Sequence, residues 1–125
     1  MSLLTRGSLA YALRHWSAGP GRPHVVSATG ELDLHAAPEL RDLLCRLSDL
    51  GTKHFVVDLT AATFLDSTTI GVLSGRLGRL HPAGGSLVLV CSNVFVLRTL
   101  EIAGMGRVFE IHSSLADALA TGAGQ

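Results

Sequence analysis

From residue 24 onward the chain alternates two patterns that suit different backbones: short runs of branched apolar residues, and leucines spaced three or four apart. Phe55, Val56 and Val57 fill the run 54–59, and 86–91 is the most apolar stretch of all. Unbroken apolar runs this short read as strands buried on both faces. Leu40, Leu43, Leu44, Leu47 and Leu50 mark a helix, with Pro38 where a first turn tolerates it and Gly51 as its stop. Ile70, Leu73, Leu77 and Leu80 mark a second, ended by His81-Pro82 and a turn at Gly84-Gly85. Val94, Leu97, Leu100 and Ala103 mark a third, closed by Gly104. A strand over 108–111 and a helix over 114–120, capped by Ser113 or Ser114, complete the series. Ahead of it, the Gly- and Pro-rich stretch 18–23 joins extended runs at 9–15 and 24–29 as a hairpin. Alternation of this kind forces crossover connections. The expected class is therefore α/β: a hairpin, then alternating helices and strands in a mixed, mainly parallel sheet packed by helices.

With 125 residues, one domain is expected over 9–120, with tails at 1–8 and 121–125. A hydrophobic content of 47% against 16% charged residues argues against disorder. Ten basic residues balance ten acidic ones, which removes the electrostatic term behind direct nucleic-acid binding. The charge is uneven: Arg6, Arg14 and Arg22 face no acid in the first thirty residues, whereas 31–66 is acidic. An acid-free start has the charge of a targeting segment but lacks the apolar core of one. Apolar runs reach only about five residues, so no membrane insertion is expected. Cys45 and Cys91 read as buried thiols of a reducing, cytoplasmic compartment. The six histidines show no metal-ligand spacing. No phosphate-cradling loop occurs, and Lys53 is the only lysine. Ser74 lies inside a helix rather than on a nucleophile elbow. The chain is read as non-enzymatic, with no metal and no cofactor.

One junction carries chemistry. The strand at 54–59 leads through 60–65 into Asp66-Ser67-Thr68-Thr69, which opens the second helix. Asp66 or Ser67 has the right chemistry to cap it, and a helix start presents free N–H donors and partial positive charge that suit a phosphate. Plain capping is the alternative to a regulatory role. On the same helix Gly71, Gly75 and Gly78 form a small-residue stripe, expected to pack closely on the sheet, with a partner groove as the other option. Arg76 and Arg79 read as a solvated face.

These residues carry a family resemblance. Gly30-Glu31-Leu32-Asp33, followed by His35-Ala36-Ala37-Pro38-Glu39-Leu40, resembles the opening of STAS-domain anti-sigma-factor antagonists. Asp66-Ser67-Thr68-Thr69-Ile70-Gly71-Val72-Leu73 is similar to their D-S-[ST]-G-L-G-V-[LI] segment. Gly84-Gly85-Ser86-Leu87 and the stretch from Ala103-Gly104-Met105 to Val108-Phe109 match in kind and order. The resemblance implies a partner switch. The unphosphorylated antagonist binds an anti-sigma factor that is itself a Ser/Thr kinase; phosphorylation releases it and a phosphatase resets it. By that resemblance Ser67 is the phosphorylated residue, Thr68 and Thr69 are alternative acceptors, and Asp33, Asp66, Ser67, Thr68 and Thr69 meet the partner. Thr69 stands where the family has Gly, adding a β-branched side chain where a kinase would dock. A STAS-like accessory subunit of a lipid or membrane transport complex is the competing expectation. A nucleotide-binding domain, lacking a phosphate loop, is a third.

Overall fold

In the computed structural model, which describes residues 3–7 and 10–120, the alternation resolves into seven strands and four α-helices. They run β1 (Leu3–Gly7), β2 (Tyr11–Ser17), β3 (His24–Leu32), α1 (Ala37–Asp49), β4 (His54–Asp58), β5 (Ala62–Leu65), α2 (Ser67–Leu80), β6 (Ser86–Val90), α3 (Val94–Ile102), β7 (Ile111–His112) and α4 (Leu115–Ala120). The sheet order is β1-β2-β3-β4-β6-β7, with β5 also on β3. The β1–β2 and β2–β3 pairs are antiparallel, and every later pair is parallel. This is the mixed, mainly parallel α/β sheet that the alternation demands.

Alternate residues of each strand serve opposite faces. Leu13, Val26, Ala28, Phe55, Val57, Leu87 and Leu89 join Leu40, Leu44, Leu73 and Leu100 in the main core beneath α1, α2 and α3. Val25, Val56, Val88 and Val90 point the other way, where, among the described residues, Ala118, Leu115 and Leu119 of α4 and the nearby Trp16 and Ala18 cover them. Burial on both faces is why these strands read as continuous apolar runs.

Several expectations are corrected. Strand β1 lies in the segment 1–8 read as a tail, and the strand expected over 9–15 occupies Tyr11–Ser17. Residues 121–125 lie outside the described ones. The connection at 60–65 contains β5, which pairs with the last third of β3 after a register shift between Gly30 and Glu31. Gly30 explains that shift: its φ is +84°, and a Cβ there would sit 2.2 Å from the Ala10 carbonyl oxygen. Only glycine fits such a position. Leu50, placed on the first helix's core stripe, caps α1 and is 84% exposed. The strand expected over 108–111 starts at Ile111, because residues 105–107 form a 3-10 turn and Phe109 plugs the core instead. Ser114, rather than Ser113, caps α4 by accepting from Asp117 N at 3.1 Å. No helix among the described residues is long and apolar enough to cross a membrane.

Candidate functional site

The junction singled out in the sequence lies where β3 and β5 end side by side, with Leu32 paired to Leu65. Asp66 leaves the sheet in an extended conformation, and its Oδ1 accepts the Thr69 N–H at 2.9 Å. Asp66 is thus the cap and Ser67 the first residue of α2. Released from capping, Ser67 is exposed, and its hydroxyl makes no hydrogen bond among the described residues. Thr68, also exposed, follows it.

Thr69 behaves differently from the expectation that it stands on the docking surface. It is fully buried, with 0% exposure. Its Oγ1 donates to the Leu32 carbonyl at 2.8 Å and lies 3.5 Å from that of Asp33. The Asp66 N–H also donates to Leu32 O, at 3.2 Å. Two bonds therefore tie the start of α2 to the end of β3, and Thr69 supplies the one that a glycine would lack. Its hydroxyl faces inward, out of reach of an enzyme acting on the surface. Nothing in composition or periodicity marks this role.

Asp33 begins the loop on the other side of that clamp. Its Oδ1 accepts from His35 N at 2.9 Å, and its carbonyl accepts from Ala36 N and Ala37 N, both at 3.0 Å, which starts α1. The His35 N–H, helped by the His35 ring at 3.4 Å, holds the Asp33 carboxyl below its ordinary value. Asp33 and Asp66 thus stand on two loops joined through Leu32 and Thr69. Leu34, next to Asp33 in the chain, and Phe64, two residues before Asp66, form an apolar rim in sequence around them, 59% and 48% exposed. The sequence reading missed this rim. Phe64, which alternates with the buried Leu65, is the signal it left.

Below Ser67 the outward surfaces of α1 and α2 enclose an open groove of about 690 Å3, lined by Thr68, Gly71, Gly75, Arg41, Arg76 and Arg79 among others. Gly71 and Gly75 of the glycine stripe line this groove rather than the sheet. A Cβ added at Gly71, Gly75 or Gly78 would meet nothing within 4 Å, so close packing inside the domain does not explain them. Arg76 is half-buried and its Nη1 lies 2.7 Å from Cys45 Sγ. Cys45 is therefore a partly accessible groove residue, whereas Cys91 is buried and burial pushes its thiol up. Among the described residues no three metal-ligating side chains converge.

A family model of the STAS domain matches residues 18–118. The anti-sigma-B factor antagonist of Bacillus subtilis is 31% identical over 86 residues, 69% of this chain and 78% of its own. Among solved structures, an anti-sigma factor antagonist from Mycobacterium paratuberculosis superposes with a TM-score of 0.81 at 22% identity, covering 93% of this chain and 97% of that one. The Bacillus cell fate determinant SpoIIAA in its phosphorylated form gives a TM-score of 0.69 at 19% identity, covering 88% and 98%.

Proposed function

The chain belongs to the STAS-domain family, and from that premise we propose that it is an anti-sigma-factor antagonist switched by phosphorylation at Ser67. The observation that carries this reading is the division of labour at the start of α2. Asp66 caps, Thr69 clamps, and Ser67 alone combines exposure, an unbonded hydroxyl and the position after the motif Asp. The B. subtilis relative bears the name of an anti-sigma-B factor antagonist, and SpoIIAA has been solved phosphorylated. The partner is an anti-sigma factor with Ser/Thr kinase activity, and a phosphatase acts on the modified form. Thr68 remains a secondary acceptor; burial removes Thr69 from that role.

The physics of release follows from the surroundings. A phosphoryl group adds about −1.5 to −2 charges at neutral pH. On Ser67 it would stand next to Asp66 and near the Asp33 loop. The start of α2 offsets part of that repulsion through its dipole, so the domain stays folded. A partner seated on the neutral hydroxyl and the Leu34 and Phe64 rim would have to desolvate a dianion, at a cost of several kcal/mol. The α1–α2 groove continues this docking face. Its two open glycines, Gly71 and Gly75, each cost about 1 kcal/mol of helix stability, a sacrifice that close approach of a partner backbone would justify.

The test is affinity capture from the native host with wild type and Ser67→Ala, then incubation of the captured complex with ATP. Recovery of a kinase-like anti-sigma factor, phosphate mapped to Ser67, and release from wild type but not from Ser67→Ala are expected. Capture of a transporter ATPase or permease instead would establish the accessory-subunit reading. Phosphate found only on Thr68 would move the switch.

A further inference from the structure

At the other end of the sheet from Ser67, the first residues of β3 and β4 meet the hairpin loop and the turn after α1. Between them lies a pocket of about 320 Å3 lined by Ser17, Arg22, His24, Gly51, Thr52, Lys53 and His54. Four of these carry or can acquire positive charge, and no carboxylate is among them. In a chain with no net charge, the fold thus brings two short basic stretches, Arg22 with His24 and Lys53 with His54, to one space.

Three of the four side chains are held in place. The Arg22 Nη2 donates to the Leu119 carbonyl at 3.4 Å, which ties the guanidinium to α4. His24 Nε2 lies 2.9 Å from His15 Nδ1, leaving Nδ1 as its other hydrogen-bonding atom. His54 Nδ1 lies 3.0 Å from Ser86 Oγ, leaving Nε2. Neither Arg22 nor Lys53 forms an ion pair among the described residues. They are not needed as caps for α1 either, because the carbonyls of Arg46, Leu47 and Ser48 already receive the Leu50, Thr52 and Gly51 amides. Lys53 also borders an adjoining cavity, where Asp49 is the one lining carboxylate against Lys53, Arg76 and Arg79.

We propose that this pocket binds a compact oxyanion of the phosphate class, held by Arg22 and Lys53 with His24 and His54 as further donors. Fixed guanidinium and imidazole donors around a shared space are what such an anion recognises. The site is separate from the Ser67 switch by the length of β3, about 25–30 Å, and does not depend on the partner assigned to that switch. Burial, with His15 beside it, keeps His24 below its ordinary value, and burial with Arg46 does the same for His15. An anion would reverse that tendency at His24.

The experiment is a titration of the isotopically labelled full chain with sodium pyrophosphate, ionic strength being held constant with sodium chloride, followed by NMR. Saturable shifts are expected at the Gly51, Thr52 and Lys53 amides and at the His24 and His54 rings, with Thr68 and Gly71 silent. The His24 ring should titrate at higher pH when the anion is bound. Arg22→Ala and Lys53→Ala should each weaken binding about tenfold, the loss expected for a charge-assisted hydrogen bond. Arg98→Ala, on exposed α3 surface, should leave it unchanged. Shifts that grow without saturating, saturation confined to the start of α2, or undiminished affinity in the Arg22→Ala/Lys53→Ala double variant would overturn the proposal.

Discussion

Thr69 is the residue whose meaning changed most between sequence and structure. By resemblance it stands where the family has glycine and looks like an obstruction; in the fold it is a buried clamp on Leu32. Thr69→Val keeps the volume and loses the hydrogen bond, so denaturant melts should show a loss of about 1 kcal/mol. Thr69→Gly also loses side-chain packing and gains helix entropy cost, and should lose about 2–3 kcal/mol. Neither should speed modification of Ser67, because Thr69 does not shield it; faster phosphorylation of Thr69→Gly would show that it does. The neighbouring caps give a second comparison. Asp66→Ala removes the acceptor for Thr69 N and should cost about 0.5–2 kcal/mol, while Ser67→Ala should stay close to wild type. A melt in which Ser67→Ala carries the loss would reverse the two roles. Asp66 and Ser67 were legible in the sequence because cap chemistry is local. The Thr69 clamp was not, since its acceptor is 37 residues away.

At the scale of elements, periodicity located three of the described helices and a cap signal the fourth, while both failed where pairing alone defines a strand. Strand β5 has four residues, with Ala62 and Leu65 buried and Thr63 and Phe64 exposed, too short a pattern to separate from a loop. Its existence depends on the register shift at Gly30, which lets one edge of β3 pair with β4 and then with β5. Helix α2 shows the converse: its limits were readable, but the direction of its glycine stripe was not. Small residues at that spacing suit either a sheet or a groove, and only the packing of α1 beside α2 decides between them. Gly75→Ala tests the outcome. With nothing within 4 Å of the new methyl group, the variant should be more stable by up to about 1 kcal/mol. It should also bind the anti-sigma factor more weakly, as calorimetry would record. A destabilised Gly75→Ala would mean that the stripe is packed after all.

For the whole molecule, charge balance and strand–helix alternation were enough to give the class, because both are summed over many residues. What they miss is the partition of titrating groups. His15 and His24 share a hydrogen bond and are both held below 6.5, each chiefly by burial. An unfolded chain protonates them near 6.5 while the folded one resists, so the unfolded state binds more protons as pH falls through that value. Their contribution to stability is complete above 6.5 and is lost progressively below it. Denaturant midpoints should fall between pH 7 and pH 5, and less steeply in a His15→Gln/His24→Gln variant; parallel slopes would place the cause elsewhere. The two faces of the sheet differ in another respect. Three helices guard one face, whereas the valine row of Val25, Val56, Val88 and Val90 depends chiefly on the six residues of α4. Local opening should therefore begin there, with the amides of α4 exchanging hydrogen well before those of β4 and β6. A molecule caught in that state still has its main core and the start of α2 intact. It would expose the valine row as an apolar strip, so its lifetime before self-association would be set by how often one short helix lifts away.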